Sequence, residues 1–323
     1  MLHNFIRYLA TLVHTSRVRV IFTWPMAGRA LGLGALAALM AVWIGGQTPA
    51  TAGQRLERSV KVGDMNRNYI VYMPDNLAAR TSWPVIMAFH PALATAEFME
   101  KTAMFHATPG GENFIVVYPQ GIKRTFNAGD CCGPAERQNV DDLGFYQAMI
   151  ADLKSIAPIK DKIYITGFSN GAMMVYHILC KMPETVAAAA PFAAVLPMTQ
   201  CNPGQVALLH VHGGADEGSP VDGGYPKKAI MKARLGYMPP VIDTVRAVAQ
   251  RNGCSSSTSI GEGNLGTSCT RFDGCPGNAD AELCIIPGLG HVWPGAKAEY
   301  SQFGPGRTDI RGTQAIISFF LNH

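Results

Sequence analysis

An α/β fold, with a mostly parallel central sheet covered by helices on both faces, is what this sequence of 323 residues predicts. Three observations carry the prediction. Short, continuous apolar runs recur along the chain, as expected of strands buried on both faces. Between them lie segments with apolar residues three and four apart, the pattern of helices that cross over between parallel strands. Finally, the glycine-flanked turn Gly167-Phe168-Ser169-Asn170-Gly171 joins one such run to a helical segment.

The elements follow in order. Residues 58–62 and 68–73 read as a short hairpin turning through Gly63-Asp64. Residues 84–90 and 114–118 are strongly apolar strands. Asp141-Asp142 caps a helix in which Tyr146, Met149, Ile150, Leu153 and Ile156 share a face. The strand at 162–166 enters the glycine-flanked turn, and 172–180 leaves it as a helix. Strands at 186–191, 206–211 and 283–286 complete the buried set, with further helices at 241–250 and 313–321. No repeat or linker divides the chain, so residues 53–323 are expected to form a single catalytic domain. The segment before 206 is too short for a lid domain, and 217–239 is the longest stretch without a predicted element. A small lid or none is expected, which suits a bulky or polymeric substrate.

Residues 1–52 hold Arg7, Arg17, Arg19 and Arg29 and no acidic residue. An uncharged apolar run over 30–45 follows Arg29 and ends in Ala50-Thr51-Ala52, a small-x-small cleavage site. The run is shorter than the roughly 20 residues a membrane span needs. A signal peptide cleaved after Ala52 is the expectation, with Met26 as an alternative start and an uncleaved anchor as the other possibility. Of 27 basic residues four lie in this leader, so 23 remain against 23 acidic ones. A formally neutral mature chain gives no reason to expect nucleic acid or a stable membrane association as partner.

All eight cysteines follow the leader, as expected of a secreted or periplasmic protein. Adjacent Cys131 and Cys132 would be strained as a pair, and Cys131-Cys132-Gly133 reads as a stapled loop. Cys269 and Cys284 flank Cys275-Pro276-Gly277-Asn278 symmetrically and are candidates to face each other on a hairpin. No paired C-x-x-C spacing suggests a metal, and no cofactor is expected.

A G-x-S-x-G turn between strand and helix is the nucleophile elbow of α/β-hydrolases, where a serine is lifted out of the sheet on a strained turn. Serine at its ordinary pKa needs a neighbouring base, itself oriented by a carboxylate. In that fold the chain order is serine, acid, histidine. Only His291 and the terminal His323 follow every plausible acid, and His291 sits in a glycine-rich loop after an apolar strand. Asp216 follows a buried strand and the turn His212-Gly213-Gly214-Ala215, at the carboxyl end where open α/β sheets place functional groups. Glu217 and Asp222 are its rivals; Asp243 begins a helix and reads as surface. The oxyanion needs two donors. One is the N–H of Asn170. The other should come from His90-Pro91-Ala92, where Pro91 has no N–H and Ala92 does. His90, Phe168 and Trp293 are the candidate substrate contacts.

Taken together these residues resemble the secreted esterases grouped with polyhydroxybutyrate depolymerases and feruloyl esterases. The resemblance rests on Gly167 to Met174, Cys131-Cys132-Gly133, Val140 to Phe145, His212 to Asp216 and Gly290 to Gly295, and runs from about residue 56 to the C-terminus. It implies an α/β-hydrolase domain without a cofactor, a Ser169–His291–Asp216 triad, and a Cys254–Cys275 pair. His90-Pro91 departs from the family's His-Gly, and Gly214 stands where Thr is common. The expected activity is hydrolysis of a small-molecule or polymeric ester through an acyl-enzyme. A peptidase on the same fold and a non-catalytic binding protein are the alternatives.

Overall fold

Ten strands form one sheet in the computed structural model, which describes residues 53–323 apart from 130, 132, 197–200, 203, 228–236, 262–264, 268 and 297–303. The expected leader, with its cleavage site and the Met26 start, lies outside the described residues, as does Cys132. The strands are β1 (Gln54–Val62), β2 (Met65–Met73), β3 (Val85–Phe89), β4 (Ile115–Pro119), β5 (Ile163–Phe168), β6 (Val186–Phe192), β7 (Ala207–Gly213), β8 (Ser256–Ile260), β9 (Cys269–Asp273) and β10 (Ala281–Ile286). Their spatial order is β1-β2-β4-β3-β5-β6-β7-β10-β9-β8.

The six strands from β4 to β10 pair in parallel. Antiparallel hairpins flank them, β1–β2 at one edge and β8–β9 at the other. Strands β3, β4, β5 and β7 are buried along their whole length, which is why they appear in the sequence as unbroken apolar runs.

Alternate strand residues feed two cores, as the pleat requires. On one face Val85, Met87, Ile115, Val117, Ile163, Ile165 and Leu208 pack against helices α3 (Asp142–Ile156), α4 (Asn170–Lys181) and α5 (Val241–Asn252). On the other, Ile86, Ala88, Val116, Tyr164, Leu209 and Val211 pack against α1 (Ala96–Ala103) and α6 (Gly312–Leu321). A short helix α2 (Gly133–Arg137) precedes α3. The α3 start is capped as its sequence predicts: Asp141 Oδ1 accepts the Gly144 N–H at 2.7 Å. Asp142 points inward instead. It pairs with the buried Arg67 at 2.5 Å and accepts the Asn127 N–H at 2.7 Å, tying β2, α3 and the loop before α2 together.

Strand β8 and helices α1 and α2 have no counterpart among the predicted elements, whereas β9 is the Cys269 arm of the expected hairpin. Strand β8 reads Ser-Ser-Thr-Ser-Ile and is largely exposed, so no apolar pattern marks it. It exists because β9 offers it a paired edge. Among the described residues no helix is long and apolar enough to cross a membrane.

Candidate active site

The site lies at the carboxyl ends of β3, β5, β7 and β10. Ser169 follows β5 directly and adopts φ 55°, ψ −118°, a conformation L-residues avoid, as the first helical residue of α4 begins beside it. Its backbone is held on both sides: its N–H donates to the Phe192 carbonyl at 2.9 Å and its carbonyl accepts from Met173 N–H at 3.0 Å. The flanking glycines are required by space. A Cβ on Gly167 would lie 2.4 Å from the Gly171 carbonyl group, and one on Gly171 would lie 2.2 Å from the Phe89 carbonyl oxygen. Strand β3, strand β5 and the start of α4 therefore meet backbone to backbone.

Two loops bring the remaining groups to Ser169. The Gly214 N–H donates to the Ile286 carbonyl and the Ala215 N–H to the Leu289 carbonyl, each at 2.8 Å, stitching the end of β7 to the loop after β10. Gly213 permits this approach, since a Cβ there would sit 2.4 Å from the Leu289 carbonyl oxygen. His291 in that loop places Nε2 2.9 Å from Ser169 Oγ and Nδ1 2.7 Å from Asp216 Oδ2. Asp216 Oδ1 accepts the N–H groups of Gly218 and Ser219, each at 2.8 Å. Burial alone would raise the Asp216 carboxyl, but the neighbouring His291, His212 and the Ser219 N–H outweigh it and hold the group below its ordinary range. Asp216 and His291 are buried, while Ser169 is half-buried and reachable. The rival acids point elsewhere: Glu217 is exposed and pairs with Lys227, Asp222 is exposed, and Asp243 pairs with Arg246 on α5.

Asn170 opens α4, so its N–H is among those without an intrahelical acceptor. Its side chain does something the sequence did not disclose. Oδ1 accepts the Phe126 N–H at 2.8 Å and Nδ2 donates to the Phe126 carbonyl at 3.0 Å, clamping the 125–128 loop beside the elbow. In the loop after β3, the Leu93 N–H is committed to the Arg124 carbonyl, and Pro91 has none. That leaves Ala92, on an exposed turn, with an N–H that has no acceptor among the described residues.

The three expected substrate contacts are corrected by the structure. His90 is fully buried; Nδ1 donates to the Pro91 carbonyl at 2.8 Å and Nε2 accepts the Gly121 N–H at 3.0 Å. Burial lowers its pKa to about 4, so it is a neutral clamp on the loop rather than a surface for substrate. Trp293 is buried too, with its indole N–H donated to Thr313 Oγ1 at 3.0 Å. Phe168 packs between Phe192, Trp293 and the His291 ring, with the last at 5.1 Å between centroids. It supports the histidine from behind. Each side chain has a backbone or core partner that outcompetes an exposed position.

Disulfides join Cys254 to Cys275, Cys269 to Cys284, and Cys180 to Cys201. Cys269 and Cys284 are direct partners across the antiparallel β9–β10 pair. Among the described residues no cluster of His, Cys, Asp and Glu is placed to hold a metal.

The chain is similar to several known proteins. The chain is 25% identical to feruloyl esterase B of Piromyces equi over 237 residues, which cover 70% of this chain and 42% of that one. It is 26% identical to the putative esterase NocK of Nocardia uniformis subsp. tsuyamanensis over 293 residues, 84% of each chain. The chain thus spans less than half of the Piromyces protein but most of the Nocardia one. Among solved structures, the acetyl xylan esterase from Aspergillus awamori superposes with a TM-score of 0.51 at 17% identity, over 73% of this chain and 94% of that one. No protein-family model matches. The chain has the α/β-hydrolase fold and is similar in sequence to proteins named as esterases, a feruloyl esterase among them.

Proposed function

We propose that the chain is an exported carboxylic ester hydrolase in which Ser169 is the nucleophile, His291 the base and Asp216 the orienting acid. One observation carries the reading: the continuous hydrogen-bonded line from Ser169 Oγ through His291 to Asp216 Oδ2, at 2.9 and 2.7 Å. Asp216 fixes the tautomer with hydrogen on Nδ1, leaving the Nε2 lone pair to take the serine proton. The alkoxide attacks the ester carbonyl, and the oxyanion is met by the N–H of Asn170 and of Ala92. Imidazolium then returns the proton to the leaving alcohol, and water repeats the cycle on the acyl-enzyme.

The names of the relatives favour esters over amides, with feruloyl esters and acetylated xylan as the substrate class; the motif resemblance adds hydroxybutyrate oligomers as a further candidate. The half-buried, reachable Ser169 supports a bulky substrate. Export is supported by the basic, apolar leader and by three disulfides. A panel of p-nitrophenyl acetate, methyl ferulate, acetylated xylan, hydroxybutyrate oligomers and a peptide p-nitroanilide tests the reading. Ester turnover that Ser169→Ala lowers by about a thousandfold or more is expected. Turnover of the anilide alone, or ester turnover untouched by Ser169→Ala, would overturn it.

A further inference from the structure

Behind the acid lies a line of buried side chains that the three catalytic residues do not include. The turn carrying Asp216 is held from within by His212, whose Nε2 lies 2.7 Å from the Ser219 carbonyl oxygen. His212 Nδ1 is 3.0 Å from His210 Nε2, and His210 Nδ1 is 2.7 Å from the Tyr176 hydroxyl. His210 and His212 come from β7 and Tyr176 from α4, and all three side chains are fully buried.

The hydrogens in this line have one arrangement. A carbonyl oxygen only accepts, so His212 Nε2 carries hydrogen and donates to Ser219. Burial above all keeps both rings in the neutral form; His212 further disfavours charge on His210, and for His212 burial outweighs the pull of Asp216 and the Ser219 carbonyl toward the charged form. A neutral His212 therefore has a lone pair on Nδ1, and His210 must donate to it from Nε2. His210 Nδ1 is then an acceptor, and the Tyr176 hydroxyl supplies the hydrogen. Donation runs in a single direction, from α4 through β7 to the Ser219 carbonyl. Ser219 in turn donates its N–H to Asp216 Oδ1. His212 Nε2 is 3.7 Å from Asp216 Oδ2, too far for a hydrogen bond, so its hold on the carboxylate passes through the turn.

We propose that His212, backed by His210 and Tyr176, is a positioning residue for ester cleavage: it locks the 216–219 turn so that Asp216 presents Oδ2 to His291. The inference rests on the assignment of Ser169, His291 and Asp216 given above. It predicts a loss of geometry around Asp216 rather than a loss of substrate affinity.

The test uses the full mature chain and p-nitrophenyl acetate, with His212→Leu, His212→Gln, Tyr176→Phe and Ser169→Ala compared by kcat, KM and circular dichroism. His212→Leu is expected to lower kcat about 100-fold with KM within about twofold, as misplacement of a catalytic group does. His212→Gln keeps an N–H near the Nε2 position and is expected to recover about tenfold of that loss. A folded His212→Leu within about threefold of the parent kcat, or a His212→Gln no better than it, overturns the proposal. If His212→Leu does not fold, Tyr176→Phe and the ¹⁵N spectrum of histidine-labelled parent protein decide. Both His210 and His212 should be neutral with hydrogen on Nε2 from about pH 7 to 8, above the ordinary histidine value that burial lowers further. Hydrogen on Nδ1 of either ring, or a Tyr176→Phe with parental kcat, overturns the proposal. Ser169→Ala separates the two layers. Loss of turnover there with a fully active His212→Leu sinks only the positioning role, whereas ester turnover that survives Ser169→Ala sinks the triad and this inference with it.

Discussion

Ser169 sits where it does because three backbone segments touch, and the residues between them have no room for a side chain. Gly171→Ala would drive a Cβ to within 2.2 Å of the Phe89 carbonyl oxygen and 2.8 Å of the His90 carbonyl oxygen, both rigid backbone. It is expected to lower stability by about 2 kcal/mol or more, the scale of overpacking in a rigid site, and to lower kcat with it. A Gly171→Ala enzyme as stable as the parent in urea would contradict the packing argument. Asn170→Ala is a finer probe. The backbone N–H at 170 remains, but the buried N–H and carbonyl of Phe126 lose both partners, a cost of roughly 1–3 kcal/mol each before water enters. Its urea midpoint should fall while ester turnover of the remaining folded enzyme stays within about tenfold. That Ser169, His291 and Asp216 come together was legible in the sequence, because motif and chain order restrict the candidates to few positions. The neighbours were less so. His90, Phe168 and Trp293 stand beside the chemistry in sequence, but whether a ring faces the cleft or the core depends on tertiary partners such as Gly121 and Thr313. The Asn170 clamp and the Tyr176–His210–His212 line were hidden for the same reason.

At the level of elements, the site is made by the ends of β7 and β10 being sewn together, so strand register fixes the distance between Asp216 and His291. Buried parallel strands announce themselves as apolar runs, and those were readable. The polar β8 was not, since an edge strand gains its stability from the neighbour it pairs with. One disulfide lies at the far end of α4 from the elbow, where Cys180 bonds Cys201, 21 residues on. Replacing both by serine should cost about 3 kcal/mol, as opening a loop of that length does in the chain-entropy picture. The thermal midpoint is expected to drop, with kcat at 25 °C nearly unchanged. A parallel loss of kcat would mean that α4 transmits strain to the elbow.

For the whole molecule, acid is the expected weakness. His90 has a folded pKa of about 4 against an ordinary 6.5, and burial is the cause. As pH falls below about 6.5 the unfolded chain binds the proton first, so stability is full above that pH and drains away down to about 4, by about 3 kcal/mol for this one group. His106, His210 and His212 are lowered as well and act in the same sense. Asp142, raised by burial, acts in the opposite sense. The thermal midpoint should therefore decline from pH 7 to pH 4.5, before most carboxylates titrate, and a flat profile over that range would contradict the buried, neutral state of these rings. The central claim concerns Ser169, and intact-mass spectrometry of the mature protein after a fluorophosphonate tests it most directly. A single adduct, mapped by peptide sequencing to Ser169 and lost or strongly slowed in His291→Ala, is the predicted result. An enzyme that hydrolyses esters while Ser169 stays unlabelled, or that labels at another residue, would contradict it.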